Sequence, residues 1–241
     1  MATVSNVGVR YSHSAVALSP TARQFRWETP VPTTPFWDSL PWVLCSQFLS
    51  NFTPTELSAL PIDSSNSASL TTKQRTEFLL KLLQDKLTTS GMSITSPGAG
   101  ANLLHAIHYL QKELGLVKEA GETIRLLLSA DGGKDNIAAQ QSYAHQLIDE
   151  GSFVEAEKVI RPACEDIDEY GNLGRDSPQG IGSQRTLLKA LWGQGKERRE
   201  EAAEVVEGIR GRIEGMKGGK FEVYVEAERE ELERLLGKLG A

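Results

Sequence analysis

Apolar residues along this chain recur at spacings of three and four, the rhythm of a helix with one buried face. From Phe36 onward, Trp37, Leu40, Val43, Leu44, Phe48 and Leu49 follow that rhythm, with Pro41 expected near a helix start. Thr71 or Thr72 can cap a second helix running to about Thr89, with Phe78, Leu79, Leu82, Leu83 and Leu87 on one face and Gly91 ending it. No segment alternates with the two-residue period of a strand. Asp131-Gly132 lacks alternating flanks and reads as a link between helices, not a hairpin. The expected class is all-α.

Beyond residue 98 the helical pattern repeats. The segments ELGLVKEAGETI, DEGSFVEAEKVI and GQGKERREEAAEVV align on Gly115, Gly151 and Gly195, which are 36 and 44 residues apart. Each glycine follows one amphipathic segment and precedes another, so each unit reads as helix, tight turn, helix. A glycine there can take the left-handed conformation that ends the first helix. Ala120, Ala156 and Ala202 sit after the turns, where a small side chain lets the second helix approach the first; Ala144 serves the same purpose from the first helix of the middle unit. Val117 and Phe153 are expected to cover the tops of their pairs. One pair cannot bury its apolar face alone, so neighbouring pairs must stack.

At these residues the chain resembles the tetratricopeptide repeat (TPR) family, over about residues 98–214. The longer spacing to the third unit, with Leu173-Gly174-Arg175-Asp176-Ser177-Pro178 in the connection, resembles the extended repeats of kinesin light chains. The chain departs from the pattern in three ways. His108 and Leu188 occupy small-residue slots, the third turn carries about two extra residues, and Pro162 lies inside a helix, where it removes a hydrogen bond to the carbonyl of Lys158. The resemblance implies a short helical solenoid. Residues 36–95 would cap its first unit, and a polar-faced helix at 220–239 would cap its last.

Composition narrows the function classes. The 241 residues carry a net charge of -6, which argues against general nucleic-acid binding. No apolar run approaches membrane-spanning length. Residues 1–35 are rich in Ser, Thr and Pro and read as an extended arm. Its early basic residues, Arg10, Arg23 and Arg26, leave a mitochondrial transit segment as the alternative to a cytoplasmic protein. Cys45 and Cys164 read as buried thiols, and the Asn51-Phe52-Thr53 sequon as unused.

Catalytic chemistry is not legible. Gly98-Ala99-Gly100 lacks the preceding strand and the third glycine of a dinucleotide loop. His105 and His108 are one turn apart, but no third metal ligand is nearby and the repeat register turns them in different directions. The acidic run Glu165, Asp166, Asp168 and Glu169 lacks the glycine and alternating oxygens of a calcium loop and reads as a solvated face. No catalytic residue, cofactor or metal is therefore assigned.

In the TPR family the first helices of the pairs line a concave groove. Carried onto this chain, the resemblance implies a groove of His105, Tyr109, Gln141, His145, Arg185, Lys189 and Trp192. That set is basic and aromatic in an acidic protein, and suits a carboxylate-bearing peptide or another anionic segment. The chaperone-binding members hold a peptide C-terminus with Lys, Asn, Asn, Lys and Arg. The matching positions here are His105, Tyr109, Ser142, Gly182 and Thr186, so that clamp is absent. The expected function is a protein interaction module, with oligomeric state open. The alternative is a small-molecule binder or unusual enzyme, its pocket closed by the arm through Trp27, Phe36, Trp37 and Trp42.

Overall fold

In a computed structural model that describes residues 9–10, 29–63, 69–89, 99–130, 136–169 and 173–240, the three turn glycines all have positive φ. Gly115 lies at 72°, Gly151 at 77° and Gly195 at 108°. At the first two, paired backbone hydrogen bonds close the helix end: Gly115 N–H to Lys112 O and Leu116 N–H to Gln111 O, then Gly151 N–H to Ile148 O and Ser152 N–H to Leu147 O. That double bond is the left-handed helix stop that a Cβ would strain. The third turn inserts a 3-10 turn at Lys196–Arg198, which absorbs its extra residues. Gly91, Asp131-Gly132, Gly98, Trp27 and most of the arm lie outside the described residues.

Two compact units divide the chain, residues 1–131 and 132–241. The first contains β1 (Val9–Arg10), β2 (Val31–Pro32), α1 (Pro35–Asp38), α2 (Trp42–Leu49), α3 (Pro54–Ala59), α4 (Thr72–Thr89), α5 (Ala99–Glu113) and α6 (Val117–Ser129). The second contains α7 (Ile137–Asp149), α8 (Phe153–Glu169), α9 (Pro178–Gly193), α10 (Arg199–Gly215) and α11 (Val225–Leu239). The fold is all-α and built on TPR-like helix pairs: α5 with α6, α7 with α8, and α9 with α10. The expectation of no strand is corrected in one detail. Val9 and Arg10 pair antiparallel with Pro32 and Val31, a ladder too short to leave an alternating pattern.

In the first unit the aromatic residues after the arm are core. Phe36, Trp37 and Phe48 are buried, and α5 contributes Leu103, Ala106, Ile107 and Leu110 to the same cluster. Phe36 meets Trp37 edge-on at 5.0 Å, and Phe48 stacks against Phe52 at 4.7 Å. The helix start expected near Pro41 is where α2 begins, and a separate four-residue helix, α1, precedes it. Ser39 ends α1, and Pro41, with no N–H to donate, starts α2. Buried Arg75 reaches back from α4 to the carbonyls of Pro35 and Phe36 and the hydroxyl of Ser39, so its guanidinium fastens the first turn of the core. Thr53 caps α3 and accepts from Glu56 N–H, while Asn51 donates to Gln47 O; both sequon side chains are engaged within the fold.

In the second unit the alanine rule holds. Ala144, Ala156 and Ala202 are fully buried, as is Ala120 in the first unit. Val117 is 50% exposed and does not cover its pair. Phe153, by contrast, lies against Gly193 of α9, where a Cβ would come within 2.2 Å of its ring. Pro162 sits within α8 without ending it. The acidic run is not wholly solvated, because Arg212 of α10 forks onto both oxygens of Asp168 at 2.5 and 2.6 Å and also holds the carbonyl of Arg175. The fork ties the last turn of α8 to α10, and the bond to Arg175 O holds the approach to α9 against α10. Ser177 then caps α9, accepting from Gly180 N–H, with Pro178 at the first helical position.

Opposite charges also tie α8 to α10. Glu157 accepts from Arg161, Arg198 and Gln194, and Glu201 from Arg161 and Arg198. Burial by itself would raise the Glu157 carboxyl, but the hydrogen bonds from Arg198, Arg161 and Gln194 outweigh it and hold the group at about 2.

Two outcomes follow. Ala156→Leu and Gly193→Ala should each lower the thermal midpoint by overpacking, at a cost of about 1–3 kcal/mol, whereas Glu230→Leu, at an exposed position of α11, should change stability by under about 0.5 kcal/mol. Because Glu157 is depressed in the fold, its contribution is complete above the ordinary carboxylate range and fades as pH falls from 4.5 toward about 2. Urea unfolding of Glu157→Gln should accordingly show lower stability than wild type at neutral pH and a shrinking difference across that window.

Candidate functional site

The expected groove residues fall in both units. In the first, His105 is half-buried on α5, with Nδ1 3.4 Å from Gln47 Oε1 of α2. Tyr109 packs against the aromatic core. Burial, reinforced by the Glu113 charge, pushes its hydroxyl up to about 12. The face expected to be open is therefore met by α2. His108 is buried and bonds through Nδ1 to Ala120 O at 2.9 Å, so the two histidines serve different neighbours.

In the second unit the remaining positions line the seams between successive first helices. Gln141 of α7 donates to Ser183 and to Gln179 O of α9. Thr186 donates its hydroxyl to Gly182 O at 3.0 Å, which leaves its oxygen to accept from His145 Nε2, also at 3.0 Å. These contacts pair early residues with early and later with later, so α7 and α9 run in the same direction. The same holds for α9 and α11: Arg185 pairs with Glu228, and Trp192 Nε1 donates to Leu239 O at 3.0 Å. Thus α11 occupies the place of a further first helix.

Electrostatically this face differs from the sequence expectation of a free basic surface. The Arg185 and Glu228 side chains are only 16% and 11% exposed, so a carboxylate of the chain itself occupies Arg185. Trp192 is covered on one side by the Arg199 guanidinium, 3.3 Å from the ring centre. Lys189 is half-buried, and among the described residues no carboxylate lies within 4.0 Å of it. Burial lowers its pKa and the Arg185 charge lowers it further; Glu231 and Asp149 act in the opposite sense from α11 and α7, and Lys238 in the same sense as Arg185. The sequence missed Glu228, Glu231 and Asp149 as neighbours of these cations. The acidic first turn of α11 was the available signal for Glu228.

The alternative pocket closed by aromatics is not what the described residues form. Phe36 and Trp37 are 2% exposed and packed into the first unit. A cavity of about 230 Å³ in that unit is bounded instead by Phe52 and Leu103 together with polar side chains that include Asn51, Glu56, Lys86 and Asn102. Lys86 there is bound to Glu56 at 2.7 Å.

No family model matches the chain, and no curated protein does. Among solved structures, the chain is similar to a Podosopora anserina putative kinesin light chain with nearly identical TPR-like repeats. The identity is 16% and the TM-score 0.49, over 75% of this chain and 80% of that one. A likeness of that extent assigns no activity or partner. No helix among the described residues is long and apolar enough to cross a membrane.

The Arg185–Glu228 pair generates a stability test. Removing one member of a buried ion pair strands the other charge and typically costs about 3–5 kcal/mol. Arg185→Ala should accordingly lower the thermal midpoint by several degrees. Arg185→Met combined with Glu228→Met should recover most of the loss, measured by calorimetry.

Proposed function

We propose that the protein is an interaction module that binds a carboxylate-bearing peptide or protein segment along the first helices of its pairs. Gln141, His145, Arg185, Lys189 and Trp192 are the binding positions of the second unit; His105 and Tyr109 hold the equivalent repeat positions in the first. The observation that supports the reading is Lys189. It is a half-buried ammonium with no carboxylate within 4.0 Å among the described residues, next to an arginine that is already neutralised. A desolvated cation with no carboxylate in direct contact is a site where an incoming carboxylate gains most, since little water must be displaced from it. Arg185 orients α11 beside the site, and Trp192 offers an apolar edge. Seams made of hydrogen-bonded side chains hold these groups in fixed positions before any ligand arrives, which lowers the ordering cost of binding.

Panning the full chain against a random peptide display library tests this. Enriched peptides should carry Asp, Glu or a free C-terminal carboxylate. Lys189→Ala should weaken an enriched peptide about tenfold, equivalent to about 1.4 kcal/mol, without lowering the thermal midpoint. Absence of enrichment, or affinity unchanged by Lys189→Ala, would contradict the proposal.

A further inference from the structure

The outer face of α8 carries charges that the helix pairs do not use. Glu157, Arg161 and Asp168 are each paired with α10 or the turn before it. Val154, Lys158, Pro162 and Glu165, at successive spacings of four, four and three, form a separate stripe, and all four are exposed. They edge a cavity of about 370 Å³ bounded on its other side by Gln194 and Arg198. Among the described residues, neither Lys158 nor Glu165 has an ion-pair partner within 4.0 Å.

The order of the stripe is informative. Lys158 and Glu165 are seven residues apart, which returns them to nearly the same side of a helix with about 10.5 Å between them. They carry opposite signs and flank Pro162 almost evenly. A second copy turned by half a revolution about an axis through Pro162 would set Lys158 of each copy against Glu165 of the other, making two ion pairs at once. Laid parallel and in register, the same stripes would oppose like charges. A two-fold contact must be self-complementary in this way, with each patch supplying what the other lacks. Proline at the axis presents a short ring and no N–H, which allows close approach.

We infer that the outer stripe of α8 is a self-association surface through which two copies of this chain pair antiparallel, Lys158 to Glu165 and Glu165 to Lys158. The site lies apart from the first-helix face and does not depend on the proposed peptide binding.

Sedimentation velocity on the full chain, from about 1 to about 100 µM, tests it. Wild type should show a concentration-dependent dimer. Lys158→Glu and Glu165→Lys should each raise the dissociation constant about tenfold or more, because each sets like charges face to face. An equimolar mixture of the two variants should recover dimer to near wild-type strength, since one then carries two acids and the other two bases. Both positions are exposed, and unchanged thermal midpoints in the single variants keep folding out of the comparison. A monomer throughout the range would overturn the inference, as would a dimer that neither variant weakens or a mixture that fails to recover.

Discussion

How closely two helices can approach at their crossing decides the rest of this structure. Ala120, Ala156 and Ala202 each follow a left-handed glycine or its 3-10 extension, and each is fully buried. With a methyl group at the crossing, the larger apolar residues on either side interdigitate, and the pair becomes a unit with one face left to bury. In the second unit the next pair buries that face. Phe153 over Gly193 is the tightest such contact, because it requires that α9 carry no side chain there.

Stacking the pairs brings their first helices side by side, and that proximity changes the meaning of their polar residues. A lysine or arginine on an isolated helix is a free charge; between two parallel helices it meets whatever the neighbour carries. Arg185 meets Glu228, His145 meets Thr186 and Gln141 meets Ser183. These seam contacts are polar and paired, and they fix register where an apolar seam would permit sliding. Lys189 is the exception, with no carboxylate within 4.0 Å among the described residues.

Much of the fold was legible because its signals are local. A glycine stop, an alanine five to seven residues later and a helical apolar period can each be read within one segment. The capping residues Thr71, Asn136 and Ser177 belong to the same class of short-range signal. What was not legible depends on partners distant in sequence. Arg75 reads as an ordinary helical surface residue until α1 is seen to lie against it, 39 residues away at Phe36. Asp168 looks like part of a solvated acidic run until Arg212 reaches it. The candidate site was half-read for the same reason. The cations of α9 were visible in its own sequence, but the carboxylates that surround them arrive on α7 and α11. The two-residue β1–β2 ladder and the four-residue α1 ahead of Pro41 lie below the length at which a period can be counted.

The central claim is that α7 to α11 form one stack, with α11 held in the place of a first helix rather than lying loosely on the surface. Hydrogen exchange on the full chain, read by mass spectrometry, tests this most directly. The account predicts that amides of α11 are protected to a similar degree as those of α9 and α10, and that mild denaturant releases all three together. Exchange of α11 at the rate of an unstructured peptide, while α9 remains protected, would contradict it.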